Sequence, residues 1–196
     1  MKHLLATSAL AVTMALGGAV QAAVIHNDGA TDFNGTYRGV GSFDVNFAGA
    51  AGPSAISFDI FGARSVDGQG NGYDDLFEVM LNGTTVFAGL FNMSGGGTNA
   101  VTTNLYGWTW STLTNPGGSF QGGLTSVGGV LDLLAGANTL TFSFTSPGPL
   151  NGGNQGVGDE SWAINNLDVS PVPVPAGLPL LAGGLGLLAF LRRKTA

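Results

Sequence analysis

LLAGANTLTFSF, residues 133–144, decides how this chain folds. In its second half Leu140, Phe142 and Phe144 share one parity, and Thr139, Thr141, Ser143 and Thr145 share the other. Period two with bulky groups on one side marks a half-buried strand, because a slip of one residue would move every ring into water. The Ala-Gly step ahead of it is a tight turn, and VLDLLAG (130–136) is too short for a helix. The stretch is therefore expected to run strand, turn, strand.

The same alternation spreads outward from there. SAISFDIF (54–61) puts Ile56, Phe58 and Ile60 on one face. LFEVML (76–81) groups Phe77, Val79 and Leu81 opposite Glu78. It is followed at once by Asn82-Gly83 and then TTVFAGLF (84–91), the pattern of a hairpin. GSFDVNF (41–47) adds another strand. In ESWAINNLDVS (160–170) the phase changes: Trp162 and Ile164 have one parity, Leu167 and Val169 the other. A bulge at Asn165-Asn166 would restore a single buried face. Short strands with turns every ten residues or so define an all-β, antiparallel β-sandwich.

The two ends have a different character. MKHLLATSALAVTMALGGAVQAA starts with Lys2, continues with an apolar stretch and closes on small residues, with Val20 and Ala22 placed for cleavage after Ala22. Residues 1–22 are expected to be a signal peptide removed by signal peptidase. At the other end Pro171, Pro173 and Pro175 form a stiff extended linker. From Ala176 to Leu191 every residue except Pro179 is apolar or Gly, and Arg192, Arg193 and Lys194 stop the run. Sixteen residues of helix reach roughly 24 Å, enough for a transmembrane helix with local thinning of the bilayer. The basic stop favours the cytoplasmic side and leaves residues 23–170 outside.

Charge is sorted along the chain. Between the ends lie Arg38 and Arg64 against all twelve acids, a net charge of −10. Such a surface repels phosphate backbones, which argues against nucleic acid as a partner and favours cations. Cysteine is absent, so neither disulfides nor thiolate metal sites are available. Once the signal peptide leaves, His26 is the single histidine, expected near a frayed terminus, and catalytic clusters of imidazole are excluded. Carboxylate pairs in turns leave acid/base glycan hydrolysis as the weakest of the functions considered. The chain is expected not to be an enzyme.

The order VPVPAG, then LPLLAGGLGLLAFL, then RRK over the last 26 residues resembles the sorting signal of PEP-CTERM proteins in its VPLPA-type variant. Val174 stands where the variant's name has Leu. That resemblance makes Val172, Pro173, Val174, Pro175 and Ala176 the sorting motif. It implies a membrane-embedded exosortase-like processing enzyme, passage through the inner membrane, and the envelope of a Gram-negative bacterium that makes exopolysaccharide. The phrases DLFEVMLNGTTVF, LDLLAGANTLTFSF and WAINNLDVS resemble jelly-roll sandwiches of the carbohydrate-binding-module kind. Exopolysaccharide is then the implied ligand, with a purely structural or adhesive role as the alternative.

Two candidate sites follow. DGQGNGYDD (67–75) offers Asp67, Asn71, Asp74 and Asp75 on a Gly-rich loop, with Asp159 and Glu160 placed to approach from the last strand. Closely spaced oxygen ligands on a flexible loop suit Ca²⁺, although the spacing is not that of an EF-hand; a solvated acidic turn has the same composition. Tyr106, Trp108 and Trp110 alternate, which would line three rings along one strand face for stacking on sugars. The same spacing also describes a core face.

Overall fold

A computed structural model describes residues 26–27, 38–114, 122–150 and 160–172, together with Leu181 and residues 183–186. Residues 22–172 form one compact unit; residues 1–21 and 173–196 form another. In the larger unit the described strands are β1 (His26–Asn27), β2 (Gly41–Gly49), β3 (Gly52–Arg64), β4 (Val66–Asp67), β5 (Leu76–Leu81), β6 (Thr84–Leu90), β7 (Ser94–Gly96), β8 (Ala100–Asn104), β9 (Thr109–Thr114), β10 (Gly123–Leu133), β11 (Gly136–Thr145) and β12 (Glu160–Pro171).

They build two five-stranded antiparallel sheets, ordered β1-β12-β3-β10-β9 and β2-β11-β5-β6-β8, and a short parallel pair, β4-β7. The sheets meet face to face through aromatic rings contributed by both. Phe58 of β3 lies 5.3 Å from Phe142 of β11 and 6.2 Å from Phe77 of β5, centroid to centroid. Trp162 of β12 stacks on Phe43 of β2 and Phe144 of β11 at 5.6 and 5.8 Å. Edge-on and offset rings add to the gain from their burial, about 1.5–3 kcal/mol for each large side chain removed from water.

The alternation read from the sequence is realised strand by strand. Leu140, Phe142 and Phe144 are buried, as are Ile56, Phe58 and Ile60 and the set Phe77, Val79 and Leu81. Asn82 and Gly83 take φ of 50° and 81° and close the β5–β6 hairpin. The register of β12 against β3 shifts between Asn165 and Asp168, with Asn166 at φ 53°, and this brings Leu167 and Val169 to the inner face beside Trp162 and Ile164. A second bulge, opposite Val79/Met80, lets both Val86 and Phe87 be buried.

His26 belongs to β1, where its backbone pairs with Val169, so the start of the domain is tied to β12 instead of frayed. In the smaller unit Leu181 and residues 183–186 are helical. Among the described residues no helix is long and apolar enough to cross a membrane. Residues 1–22 (expected to be a signal peptide), Pro173 to Ala176, the expected basic stop at Arg192, Arg193 and Lys194, and most of the expected span lie outside the described residues.

Candidate metal centre

The loop from β4 to β5 sits at one end of the sandwich, beside the start of β12. The two ends of that loop and the distant start of β12 deliver one carboxylate each. Asp67 ends β4, Asp75 directly precedes β5, and Glu160 opens β12, whose backbone pairs there with Arg64 of β3. All three are buried, and one carboxylate oxygen from each lies within 4.8 Å of the others. The loop is folded onto itself to hold them. Asp75 N–H donates to the Asp67 carbonyl at 3.0 Å, while Asp67 N–H donates to Asp75 Oδ2 at 2.8 Å. Ser146, just after β11, donates to Asp75 Oδ1 at 2.6 Å and faces Glu160 Oε2 at 3.4 Å. On the far side the backbone of Gly95 passes so close to Asp67 that any β-carbon there would overlap its carboxylate.

Like charges crowded together out of water are costly, and Asp75 shows how the free protein responds. Burial above all, helped by the nearby Asp67 charge, pushes its carboxyl up from 3.8 to about 6, against the opposing hydrogen bonds from Ser146 and the Asp67 backbone. A cation would relieve the same repulsion without a proton. The donor set is hard and all-oxygen, which suits Ca²⁺ or Mg²⁺ and is wrong for soft metals.

The remaining loop residues turn out to have supporting places. Asn71 donates its side-chain N–H to Asp67 Oδ1, and its own oxygen is turned to the N–H of Tyr73 at 2.9 Å. Asp74 is directed at the N–H of Gly70, 2.8 Å away, and staples the turn. Asp159 lies outside the described residues. Ser146 was missed by the reading of the sequence, because nothing in TSPGP marks a serine that will meet a loop 71 residues away.

The three rings do not share a face. Tyr106 lies in the turn after β8, and only Trp110 is on β9. Trp108 is 3% exposed, stacked on Phe87 at 5.6 Å, with its indole N–H donating to the Val130 carbonyl at 2.7 Å. Asn104 fixes this inward turn, accepting from Trp108 N–H and donating to its carbonyl. Trp110 is 36% exposed and tilts against Phe91, at a cleft of about 330 Å³ also lined by Thr109, Ser111, Ser126, Val127 and Gly128.

Fold and site together define an all-β sandwich with a buried three-carboxylate centre at one end. No family model and no curated protein matches the chain.

Proposed function

We propose that this is an exported, non-enzymatic envelope or extracellular-matrix protein whose sandwich is locked by a calcium ion. The convergence of Asp67, Asp75 and Glu160 carries the reading, since three buried carboxylates, two from one loop and one from a distant strand, need a shared positive charge to ionise together. The strand order β1-β12-β3-β10 over β2-β11-β5-β6 supports a jelly roll, two interlocked Greek keys with β8 and β9 inserted. The signal-like start, the VPVPAG motif and the basic stop support sorting by an exosortase-like enzyme, with the inner membrane as a station on the way.

In that setting the ion closes the loop end of the domain, and the −10 surface is kept soluble among acidic polymers. Metal analysis of the purified protein after dialysis against micromolar Ca²⁺ tests the centre. One ion per chain, lost in Asp75→Asn, is the expected result; no bound metal in the unaltered protein ends the reading.

A second reading has its own observation. The cleft beside Trp110 joins a partly exposed ring to the hydroxyl residues Thr109, Ser111 and Ser126. Rings next to hydroxyls suit the apolar face and the polar rim of a sugar, so exopolysaccharide is the ligand proposed for it. Retention on immobilised exopolysaccharide should fall in Trp110→Ala and stay unchanged in Tyr106→Ala.

A further inference from the structure

The end of the sandwich opposite the carboxylate centre is built unlike ordinary turns. Strand registers bring four connections there. Gly52 pairs with Leu133, and Gly49 with Gly136, which places residues 50–51 beside residues 134–135. Leu81 pairs with Leu140, which adds Asn82-Gly83. Leu105 N–H donates to the Val86 carbonyl at 2.9 Å, and Trp108 reaches Val130, which adds residues 105–108.

Exposed turns normally carry Asp, Asn, Ser or Lys. These read AGAAGP (48–53), LAGA (134–137), NGT (82–84) and LYGW (105–108), with no charged residue among them. Leu105 is 61% and Leu134 60% exposed, and Tyr106 stands beside them in sequence, also open to solvent. One exposed acid, Asp132, stands at the edge of these turns on the outer face of β10, in register with Pro53, while Asp168 lies farther back, paired with Ser57. By contrast, Arg64, Asp67, Asp74, Asp75 and Glu160 all sit at the other end.

The same end is where the chain leaves the domain. Pro171 pairs with Ser54, and Val172 N–H donates to the Pro53 carbonyl at 3.2 Å. Only Pro173, Val174 and Pro175 separate Val172 from Ala176, the first residue of the apolar run. Four extended steps reach about 14 Å at most, and the headgroup layer of a bilayer takes roughly 5–7 Å of that.

We propose that this end of the sandwich rests on the lipid surface of the membrane that holds the tail, with Leu105, Tyr106 and Leu134 in the headgroup layer. The proposal builds on the reading of residues 176–191 as a membrane span. Turns that carry no charge of their own, with one carboxylate at their edge that can stay in water, meet little desolvation cost at the interface, and exposed Leu and Tyr gain from partial insertion. The domain would then stand upright, its carboxylate centre and acidic loops directed away from the bilayer.

The chain has no cysteine, so single labels can be placed without disturbing native thiols. Full-length Leu105→Cys, Leu134→Cys and Leu113→Cys, each carrying one fluorophore, would be reconstituted in phosphatidylethanolamine/phosphatidylglycerol vesicles containing a headgroup spin-labelled lipid. Leu113 is the matched comparator: it is 66% exposed and apolar, but pairs with Leu124, which pairs with Phe61. Phe61 is eight residues along β3 from Pro53, roughly 26 Å farther from the end at which Val172 leaves the domain.

Quenching at Leu105 and Leu134 is expected to exceed that at Leu113 by about threefold or more, the depth of an interfacial residue being roughly 5–10 Å. Equal quenching at the three positions in protein that floats with the vesicles overturns the proposal while leaving the span intact. Protein that fails to float overturns the span itself, and the proposal with it.

Discussion

Removing divalent cations and then raising the pH from 4 to 7.5 takes the proton from Asp75 and puts nothing in its place. The carboxyl of the folded protein holds its proton up to about pH 6, against 3.8 for an ordinary aspartate. A group whose pKa is raised by folding contributes stability that is complete below the unfolded value and lost as pH climbs through the folded one. At 1.36 kcal/mol for each pH unit, and with pH 4 already just above the unfolded value, the metal-free protein should lose about 2 kcal/mol between pH 4 and 7. For a domain of this size that is a fall in melting temperature of roughly 4–8 °C. Because Ser146 stands between Asp75 and Glu160, the observed midpoint belongs to the pair and not to Asp75 alone. Calcium reverses the slope. At pH 7.5 and a free concentration one hundred times its dissociation constant, it should add about 2.7 kcal/mol. Near pH 4.5 most of that gain should vanish, because the proton competes for the same oxygens. Asp75→Asn should flatten the pH dependence, abolish the calcium response and make the metal-free protein more stable than the parent at pH 7.5. Differential scanning fluorimetry over a grid of pH and Ca²⁺ reads all of this. A metal-free melting temperature that stays level or rises from pH 4 to 7, or a calcium gain equal at pH 4.5 and 7.5, would refute the reasoning.

Phe142→Asn should cost about 4 kcal/mol or more, through the cavity and the buried amide, whereas Thr141→Asn on the outer face should stay within about 1 kcal/mol. Thr141 donates to Asp44 at 2.6 Å, and Asn keeps a donor there; equal losses in urea melts would mean the faces are assigned wrongly. Gly129→Ala would force a β-carbon into the Trp108 indole, so a loss of about 1–3 kcal/mol and a red-shifted tryptophan emission are expected; an unchanged spectrum would contradict the inward placement of that ring. Replacing Pro173 and Pro175 by Ala should leave export intact and block processing of the tail. Mass spectrometry of the mature unaltered protein that finds the chain ending at Ala196 would leave a plain anchor in place of a sorting signal.

How far the sequence could be read depended on how local the physics was. Alternation needs only neighbours: once Leu140, Phe142 and Phe144 share a parity, a half-buried strand follows whatever it pairs with, and the same holds for the Asn165-Asn166 bulge and the Asn82-Gly83 turn. The carboxylate centre was half legible. The loop announced its acids, and Glu160 stood out as the opening of the last strand, but proximity of Asp67, Asp75 and Glu160 is a property of register, set when β12 pairs with β3 and β4 bridges to β7. Ser146 carries no local mark at all, for its role arises only from the crossing of β11 into the next connection. Tyr106, Trp108 and Trp110 show the limit most plainly. Period two assumes a continuous strand, and here Asn104 holds a turn through residues 105–108 that rotates Trp108 into the core before β9 begins. The sequence by itself determined the alternating strands, the Asn82-Gly83 turn, the charge sorting and the unusual composition of the ends. Only tertiary structure decided which acids meet, which ring is buried and which turns gather where β12 ends, because those depend on pairing between segments that local pattern cannot order.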